Sequence, residues 1–193
     1  ISYVLSKLTL KVCGRFNFSN HRDITPFKDN SVKPNYNISP SSDVIVINEN
    51  NKLEKLRWGY VPSWMKQGQI INAKAETVRY KSTFKGFRKC YVPINGWYEW
   101  SIEDNKKQPY YLYSDYSTLY VKSIKKENTV ILLTTSAIDT ISQIHHRMPL
   151  LSNEPSFTKW NLFPKEIVIK AHKVSNKVNF ASNNNKVLIE PIL

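Results

Sequence analysis

The feature that most constrains the fold is a series of short runs rich in β-branched and aromatic residues, separated by turn-forming residues. Residues 44–47 form one such run, and an Asn-rich turn at 48–51 leads into a second run at 56–60. This pattern predicts two strands joined by a turn. Further strand-like runs follow at residues 90–94, 110–113, 119–124, 130–135 and 167–174. A sheet of many short strands is therefore expected.

Helix-like segments are few and short. Residues 77–84 and 155–162 each suit a short helix, the second with Phe157 and Trp160 facing inward. No repeat, low-complexity tract or long linker divides the 193 residues, and this length suits one domain with a sizeable core. We therefore predict the α+β class, with a single domain that has a largely antiparallel, barrel-like β core and short peripheral helices.

The charge of the chain points to a polyanionic partner. Lys and Arg number 28 against 15 Asp and Glu, which gives a formal net charge of +13. A net charge of this size indicates what the protein binds rather than how it folds, and nucleic acids are the first candidate partners. The aromatic content of 12% supports single-stranded nucleic acid, whose binding sites combine basic grooves with stacking surfaces. An AT-rich genome, which enriches Lys and Asn, is the alternative source of the charge.

The cysteines and histidines give no sign of a metal site. The two cysteines, Cys13 and Cys90, are too few for a disulfide framework and are not part of a Cys-x-x-Cys pair. The four histidines show no zinc-ligand spacing with them. We predict no metal and no cofactor, and we expect Cys90 to be a buried strand residue.

Residues 1–12 are predicted to be a leader that is absent from the mature chain, which leaves residues 13–193 as the domain. The leader lacks the basic and apolar regions and the cleavage site of a secretory signal. No other apolar run approaches the roughly 18 residues that a membrane-spanning helix needs, so a soluble, intracellular protein is expected. An alternative start codon at Val12 would place Cys13 first. A genuine N-terminal strand is the other interpretation, because residues 3–5 and 8–10 have β-like composition.

Four motifs concentrate the residue types of catalytic sites near the ends of predicted strands, where functional residues tend to occur. They are Cys-Gly-Arg-Phe at 13–16, Asn-Ala-Lys-Ala-Glu-Thr at 72–77, Gly-Trp-Tyr-Glu-Trp at 96–100 and Ile-His-His-Arg-Met-Pro at 144–149. Singly, each has a structural explanation: Glu99 suits a surface strand, His145 a hydrogen-bonded loop position and Asn72 a turn or helix cap. A cysteine that begins a chain, however, carries a thiol and a free α-amine, which together can capture an aldehyde.

The ordered series of motifs resembles the SOS-response-associated peptidase (SRAP) family. The family pattern runs Met-Cys-Gly-Arg-Phe, Asn-Ala-Arg-Ala-Glu-Thr, Gly-aromatic-Tyr-Glu-Trp and His-x-Arg-Met-Pro, and the resemblance extends from Cys13 to about Pro191. It implies a sensor and shield for abasic sites in single-stranded DNA. In this family the mature N-terminal cysteine, here Cys13, forms a thiazolidine cross-link with the ring-opened abasic deoxyribose.

The resemblance also implies roles for individual residues, and its catalytic set is Cys13, Asn72, Glu99 and His145. Glu99 would transfer protons, with a pKa raised by its aromatic neighbours. Asn72 would orient the amine or a sugar oxygen. His145 would assist ring opening or hold a phosphate.

The positions that match the DNA-binding residues of the family are Arg15, Pro40, Trp64, Lys74, Trp100 and Arg147. Arg15 and Arg147 would donate to backbone phosphates. Trp64 and Trp100 would stack on bases, with core packing as their alternative. Lys74 replaces the usual Arg of the second motif, which keeps the charge but loses bidentate phosphate binding.

Two other functions stay open on the sequence alone. A thiol autopeptidase or cysteine peptidase would use Cys13 as nucleophile and His145 as base, although no oxyanion hole can be recognised. A non-catalytic binder of single-stranded or modified DNA would show salt-sensitive affinity. The predicted partner is single-stranded DNA with abasic sites, with no membrane partner. The expected protein is a monomer in the cytoplasm, nucleoid-associated if bacterial.

Overall fold

The computed structural model describes residues 13–20, 33–138, 141–160 and 167–192, and within these ranges the chain is mostly strands with a few short helices. The predicted α+β domain with a largely antiparallel, barrel-like core is confirmed. None of the helices in the described ranges has the length and apolar character that a membrane span requires. The predicted leader, residues 1–12, lies outside the described residues.

The smaller sheet has five antiparallel strands. They are β1 (Arg15–Phe18), β2 (Asn35–Ile38), β7 (Gly96–Glu103), β8 (Lys106–Tyr113) and β13 (Lys170–Lys173). Their spatial order is β13-β8-β7-β1-β2. The β7–β8 hairpin turns at Asp104 and Asn105, which both have positive φ, as the central residues of a type I′ turn do. This sheet carries the first and third sequence motifs on neighbouring strands.

The larger sheet has eight strands and closes on itself. Its members are β3 (Asp43–Asn48), β4 (Leu53–Trp58), β5 (Asn72–Lys74), β6 (Arg88–Ile94), β9 (Leu119–Lys126), β10 (Thr129–Ser136), β11 (Arg147–Pro149) and β12 (Leu151–Ser152). The order β10-β4-β3-β6-β9 becomes a ring because β9 also pairs with β10. Strand β10 in addition pairs with β5 in parallel and with β11 antiparallel. The second and fourth sequence motifs are therefore joined to one strand.

The predicted hairpin and most predicted strands are confirmed. Strands β3 and β4 enclose the predicted turn, in which the side chain of Asn48 accepts from the backbone N–H groups of Asn50 and Lys52. Strands β6, β8, β9 and β10 contain the runs predicted at 90–94, 110–113, 119–124 and 130–135. Within the predicted run at 167–174, the strand is limited to β13.

Neither of the two predicted helices forms as one continuous helix in the described residues. Residues 77–84 form two 3-10 turns, Val78–Tyr80 and Ser82–Phe84, instead of one helix, because Lys81 between them is extended. The helix predicted at 155–162 is wrong for residues 155–160, which form a bend and a turn, and 161–162 lie outside the described residues. In that turn Phe157 and Trp160 stack on each other and both contact Tyr91, so that their inward orientation is confirmed.

Two apolar clusters lie on opposite faces of the five-stranded sheet. The main core contains Phe16, Trp58 and Trp97, together with the buried Cys90 that was expected there. The second cluster contains Tyr98 and, from the C-terminal segment, Val174, Val178 and Leu188. Successive strand residues point to opposite faces. In β7, residues 97 and 99 thus face the main core, whereas residues 98 and 100 face the C-terminal segment.

Candidate active site

The first and third motifs meet at a buried contact between Cys13 and Glu99. The backbone N–H of Cys13 donates to Glu99 Oε1 at 2.7 Å. Strand β1 pairs with β7 in the register Arg15↔Tyr98, which brings the residue before the strand beside this part of β7. Cys13 has a positive φ of 43°, and Glu99 is only 1% exposed. The surface-strand alternative for Glu99 is therefore wrong.

Burial controls the protonation of both groups. It raises the pKa of the Glu99 carboxyl well above its ordinary value, and the N–H of Cys13 offsets part of this effect. Burial also raises the pKa of the Cys13 thiol, to which the nearby Glu99 charge adds. Glu99 Oε2 has no hydrogen-bond partner among the described residues. Both groups thus favour their protonated, uncharged forms.

His145 is held in one orientation by the chain around it. It follows the single helical turn α1 (Ile141–Ile144), which packs against β7, the strand that carries Glu99. The His145 ring is buried, and its Nδ1 accepts from the backbone N–H of Arg147 at 3.1 Å. Nδ1 also lies 3.2 Å from the carbonyl oxygen of Arg147, so its role as acceptor or donor depends on the tautomer of the ring. His146 is exposed and stacks on His145 with ring centroids 4.5 Å apart.

Arg147 joins the second and fourth motifs through Glu76. Its guanidinium donates from Nη1 to Glu76 Oε1 at 2.7 Å and from Nη2 to Glu76 Oε2 at 2.9 Å. Nη2 also donates to the carbonyl of Thr134 in β10 at 2.7 Å. The Arg147 side chain is nearly buried and directed at protein acceptors, so phosphate binding by this residue remains a prediction. Sequence reasoning missed Glu76, although a carboxylate in the second motif was the available signal.

Replacing Glu76 with Gln is expected to lower the free energy of unfolding by about 1 kcal/mol near neutral pH, a modest value because solvent screens this partly exposed carboxylate. The hydrogen bonds from Arg147 lower the pKa of Glu76 to about 2 from its ordinary 4.5. The ion pair therefore contributes fully above the ordinary pKa and is lost as the pH falls through about 2. Urea unfolding of both chains as a function of pH measures the difference.

The matched control for that experiment is Glu154→Gln, which removes the exposed ion pair with Lys159. Its effect is expected to stay below about 0.5 kcal/mol. A Glu76→Gln difference that grows as the pH falls below the ordinary carboxyl pKa would contradict the assigned role of Arg147.

The remaining predicted residues of the second motif lie on β5. Asn72 begins this strand, opposite Leu132 of β10, and is half-buried. Lys74 ends the strand and is exposed, so that its ammonium can reach an anionic ligand. No group of three or more His, Cys, Asp or Glu side chains in the described ranges has the geometry of a metal site.

Arg15 and Trp100 lie on the other face of the five-stranded sheet, two residues after Cys13 and one residue after Glu99, respectively. Arg15 donates to Asn37 Oδ1 at 3.1 Å and to the carbonyl of Asn179 at 3.0 Å. Trp100 Nε1 donates to Asn179 Oδ1 at 2.8 Å. Burial lowers the pKa of Arg15, and the Trp100 ring is half-buried against the second cluster. Sequence reasoning did not foresee that Asn179 holds both side chains.

Trp64 and Pro40 are separate from this cluster along the chain. Trp64 is 63% exposed, in the segment closed by the bridge between Tyr60 and Ile70. Core packing, the alternative for this tryptophan, is therefore wrong. Pro40 is half-buried, two residues after β2 ends at Ile38.

Comparison with known proteins shows the family of the chain. The family model of the SOS response associated peptidases (SRAP) matches residues 12–181. Abasic site processing protein YoqW of Bacillus subtilis (strain 168) is 31% identical over 223 aligned positions, which cover 93% of this chain and 99% of the relative. Abasic site processing protein YedK of Escherichia coli (strain K12) is 29% identical, covering 81% of this chain and 84% of its own.

The fold is found in solved structures as well. A crystal structure of a protein from Bacteroides thetaiotaomicron superposes with a TM-score of 0.72 at 19% identity, covering 94% of this chain and all of the other. At this identity the solved structure supports a shared fold alone. The family of the chain is shown by the family model and by the sequence relatives. The chain belongs to the SOS response associated peptidase (SRAP) family.

Proposed function

We propose that this protein processes abasic sites in single-stranded DNA by forming a covalent cross-link through Cys13 as the first residue of the mature chain. The observation that carries the proposal is the 2.7 Å contact between Cys13 N and Glu99 Oε1 in a buried site. It is supported by the relatives that are named abasic site processing proteins. The peptide nitrogen of Cys13 marks the place that a free α-amine would occupy.

The chemistry follows from two nucleophiles on one residue. The α-amine attacks the aldehyde carbon of the ring-opened abasic sugar, and loss of one water gives an imine. The thiol sulfur then attacks the imine carbon, and the thiol proton is transferred to nitrogen, which closes a five-membered thiazolidine. Because sulfur and nitrogen belong to the same residue, the second step has a large effective concentration, and the closed ring is more durable than the imine.

Glu99 supplies the proton transfers that the first step needs. Burial raises the pKa of this carboxyl well above its ordinary value, which favours its protonated form. It can therefore protonate the departing hydroxyl of the carbinolamine and afterwards take a proton from nitrogen. We assign His145 and Asn72 to the orientation of sugar oxygens by hydrogen bonds.

The exposed aromatic and basic side chains favour a single strand. Trp64 is exposed and Trp100 keeps part of its ring accessible, which supports stacking on unpaired bases. Arg15 and Lys74 supply positive charge, and the net charge of +13 favours salt-sensitive binding to a polyanion.

The cysteine peptidase alternative receives less support from the geometry. The carboxyl beside Cys13 contacts its nitrogen, the atom that reacts with an aldehyde. The Cys13 thiol has a raised pKa, whereas a peptidase nucleophile needs a lowered one. Both observations favour amine chemistry.

The proposal is tested by comparing the chain of 193 residues with one in which Cys13 follows an initiator Met that is removed. With a single strand carrying an aldehyde abasic site, the chain that begins at Cys13 is expected to give a denaturation-resistant species. Its mass should equal protein plus DNA minus one water. The longer chain should bind the same DNA without trapping it, since its Cys13 nitrogen is an amide. Equal cross-linking by both chains would contradict the role of the α-amine.

A further inference from the structure

The C-terminal segment 175–185 covers the face of the five-stranded sheet that carries Arg15 and Trp100. Asn179, at its centre, accepts from Arg15 through its carbonyl and from Trp100 through its Oδ1. Asn37 of β2 fixes the same segment by donating to the carbonyls of Val178 and Asn183 at 3.2 and 3.0 Å. The segment is thus attached to both strands that reach the Cys13–Glu99 contact.

Phe180, the residue after Asn179, presents its ring to solvent. It is 65% exposed, whereas Val178 of the same segment is buried and fills the second cluster. The backbone of Phe180 is nevertheless fixed: its carbonyl accepts from Asn37 Nδ2 and from the N–H of Asn183, both at 3.0 Å. An exposed ring on an anchored backbone contributes little to the core but offers a rigid flat surface to a ligand.

The charge around Phe180 favours an anion. Between Val174 and Ile189 the chain has no Asp or Glu and two lysines, Lys177 and Lys186. Within the described ranges, Arg15 makes no ion pair with an acid, and its side-chain acceptors are amide and backbone oxygens. Positive charge beside an exposed aromatic ring is the combination that binds single-stranded nucleic acid.

We propose that segment 175–185 forms a wall of the single-stranded DNA site, where Phe180 stacks on a base next to the lesion. Asn179 is a positioning residue that orients the side chains of Trp100 and Arg15 toward the same DNA strand. This inference rests on the proposed function, because it takes the DNA that reacts at Cys13 as the ligand.

The test measures binding separately from chemistry. The probe is a single-stranded oligonucleotide with a tetrahydrofuran abasic analogue, which has no aldehyde, and the protein is the chain of 193 residues. Phe180→Ala is expected to weaken binding about tenfold, since the variant loses the stacking of one base on the ring. Phe180→Tyr should retain the affinity, and Phe180→Leu should not, because leucine is apolar without a π-face.

Asn179→Ala should weaken binding several-fold by releasing the Trp100 indole. In the chain that begins at Cys13, both alanine variants should raise the DNA concentration at half-maximal cross-linking and leave the maximal rate unchanged. The matched control is Val187→Ala, a truncation of another apolar side chain that is 51% exposed, which should change neither quantity.

Wild-type affinity in Phe180→Ala, or full affinity in Phe180→Leu, would overturn the stacking role. An unchanged half-maximal concentration in Asn179→Ala would overturn its positioning role. Binding of the analogue that depends on Phe180, without any cross-linking by the chain that begins at Cys13, would contradict the proposed function and leave this inference standing. The thermal unfolding temperature of each variant shows that the fold is intact.

Discussion

In a chain that begins at Cys13, replacing this residue with alanine is expected to abolish the durable cross-link to abasic single-stranded DNA. Alanine keeps the α-amine but lacks the sulfur, so the reaction stops at the reversible imine. Borohydride should therefore still trap the variant on the DNA, whereas without reductant denaturation should release it. A denaturing gel of the two reactions separates the role of the amine from that of the thiol.

Cys90→Ala is the matched control for this result. Cys90 is buried in the interior of β6 and its nitrogen is a peptide amide, so that it cannot supply an amine and a thiol together. The variant should cross-link as the wild type does. A durable species that survives Cys13→Ala but disappears in Cys90→Ala would refute the thiazolidine assignment.

The second large effect is expected from Glu99→Gln, which should slow cross-linking by about a hundredfold. The amide keeps an oxygen that can accept from Cys13, but it cannot exchange the proton that imine formation requires, and general acid–base catalysis typically contributes about 10²–10⁴-fold. Single-turnover rates at saturating DNA measure this loss. The amount of DNA bound at equilibrium should change little.

The same substitution is expected to stabilise the fold near neutral pH. Burial raises the pKa of Glu99 in the folded state above its ordinary 4.5, so the stability of the wild type decreases as the pH rises above that value. Each unit of difference corresponds to about 1.4 kcal/mol. Gln carries no charge at any pH, and unfolding curves should therefore favour the variant at neutral pH and converge below the ordinary carboxyl pKa.

Glu103→Gln on the same strand provides the control of opposite sign. The pKa of Glu103 is lowered, mainly by the hydrogen bond from Lys173, so its charged form favours the fold. Its replacement should not stabilise the protein at neutral pH. A Glu99→Gln variant that is less stable than the wild type at neutral pH would contradict this prediction. It would show that ionising the Glu99 carboxyl does not destabilise the fold, contrary to what its burial implies.

Local patterns in the sequence predicted the strands well because strand composition and turn residues act over a few positions. The β3–β4 hairpin shows this most clearly, since Asn48 itself makes the side-chain hydrogen bonds that hold the turn. The segment at 155–160 shows the limit. Its aromatic spacing suits a helix. In the structure, however, the rings of Phe157 and Trp160 both pack against Tyr91, a residue more than sixty positions earlier. The Tyr91 hydroxyl also donates to the carbonyl of Ser156.

The motifs identified the family and named most of the candidate site, but not the contacts within it. The Glu76–Arg147 pair joins residues 71 positions apart, and the Arg15–Asn179 contact joins residues 164 apart. Such contacts depend on which strands become neighbours in the sheet. Nothing in the local sequence of Asn179 distinguishes it from the many other asparagines of this chain.

The sequence by itself determined the strand-rich fold class, the basic charge and the four motifs that identify the SRAP family, since each is a property of residue type and spacing. Only the tertiary structure decided that Glu99 is buried and meets the nitrogen of Cys13, and that Arg147 is held by Glu76. The physical reason is that desolvation and hydrogen bonding between distant residues arise when strands pair and side chains lose water. These effects raise the pKa of Glu99 and lower that of Glu76, two carboxyls of the same residue type.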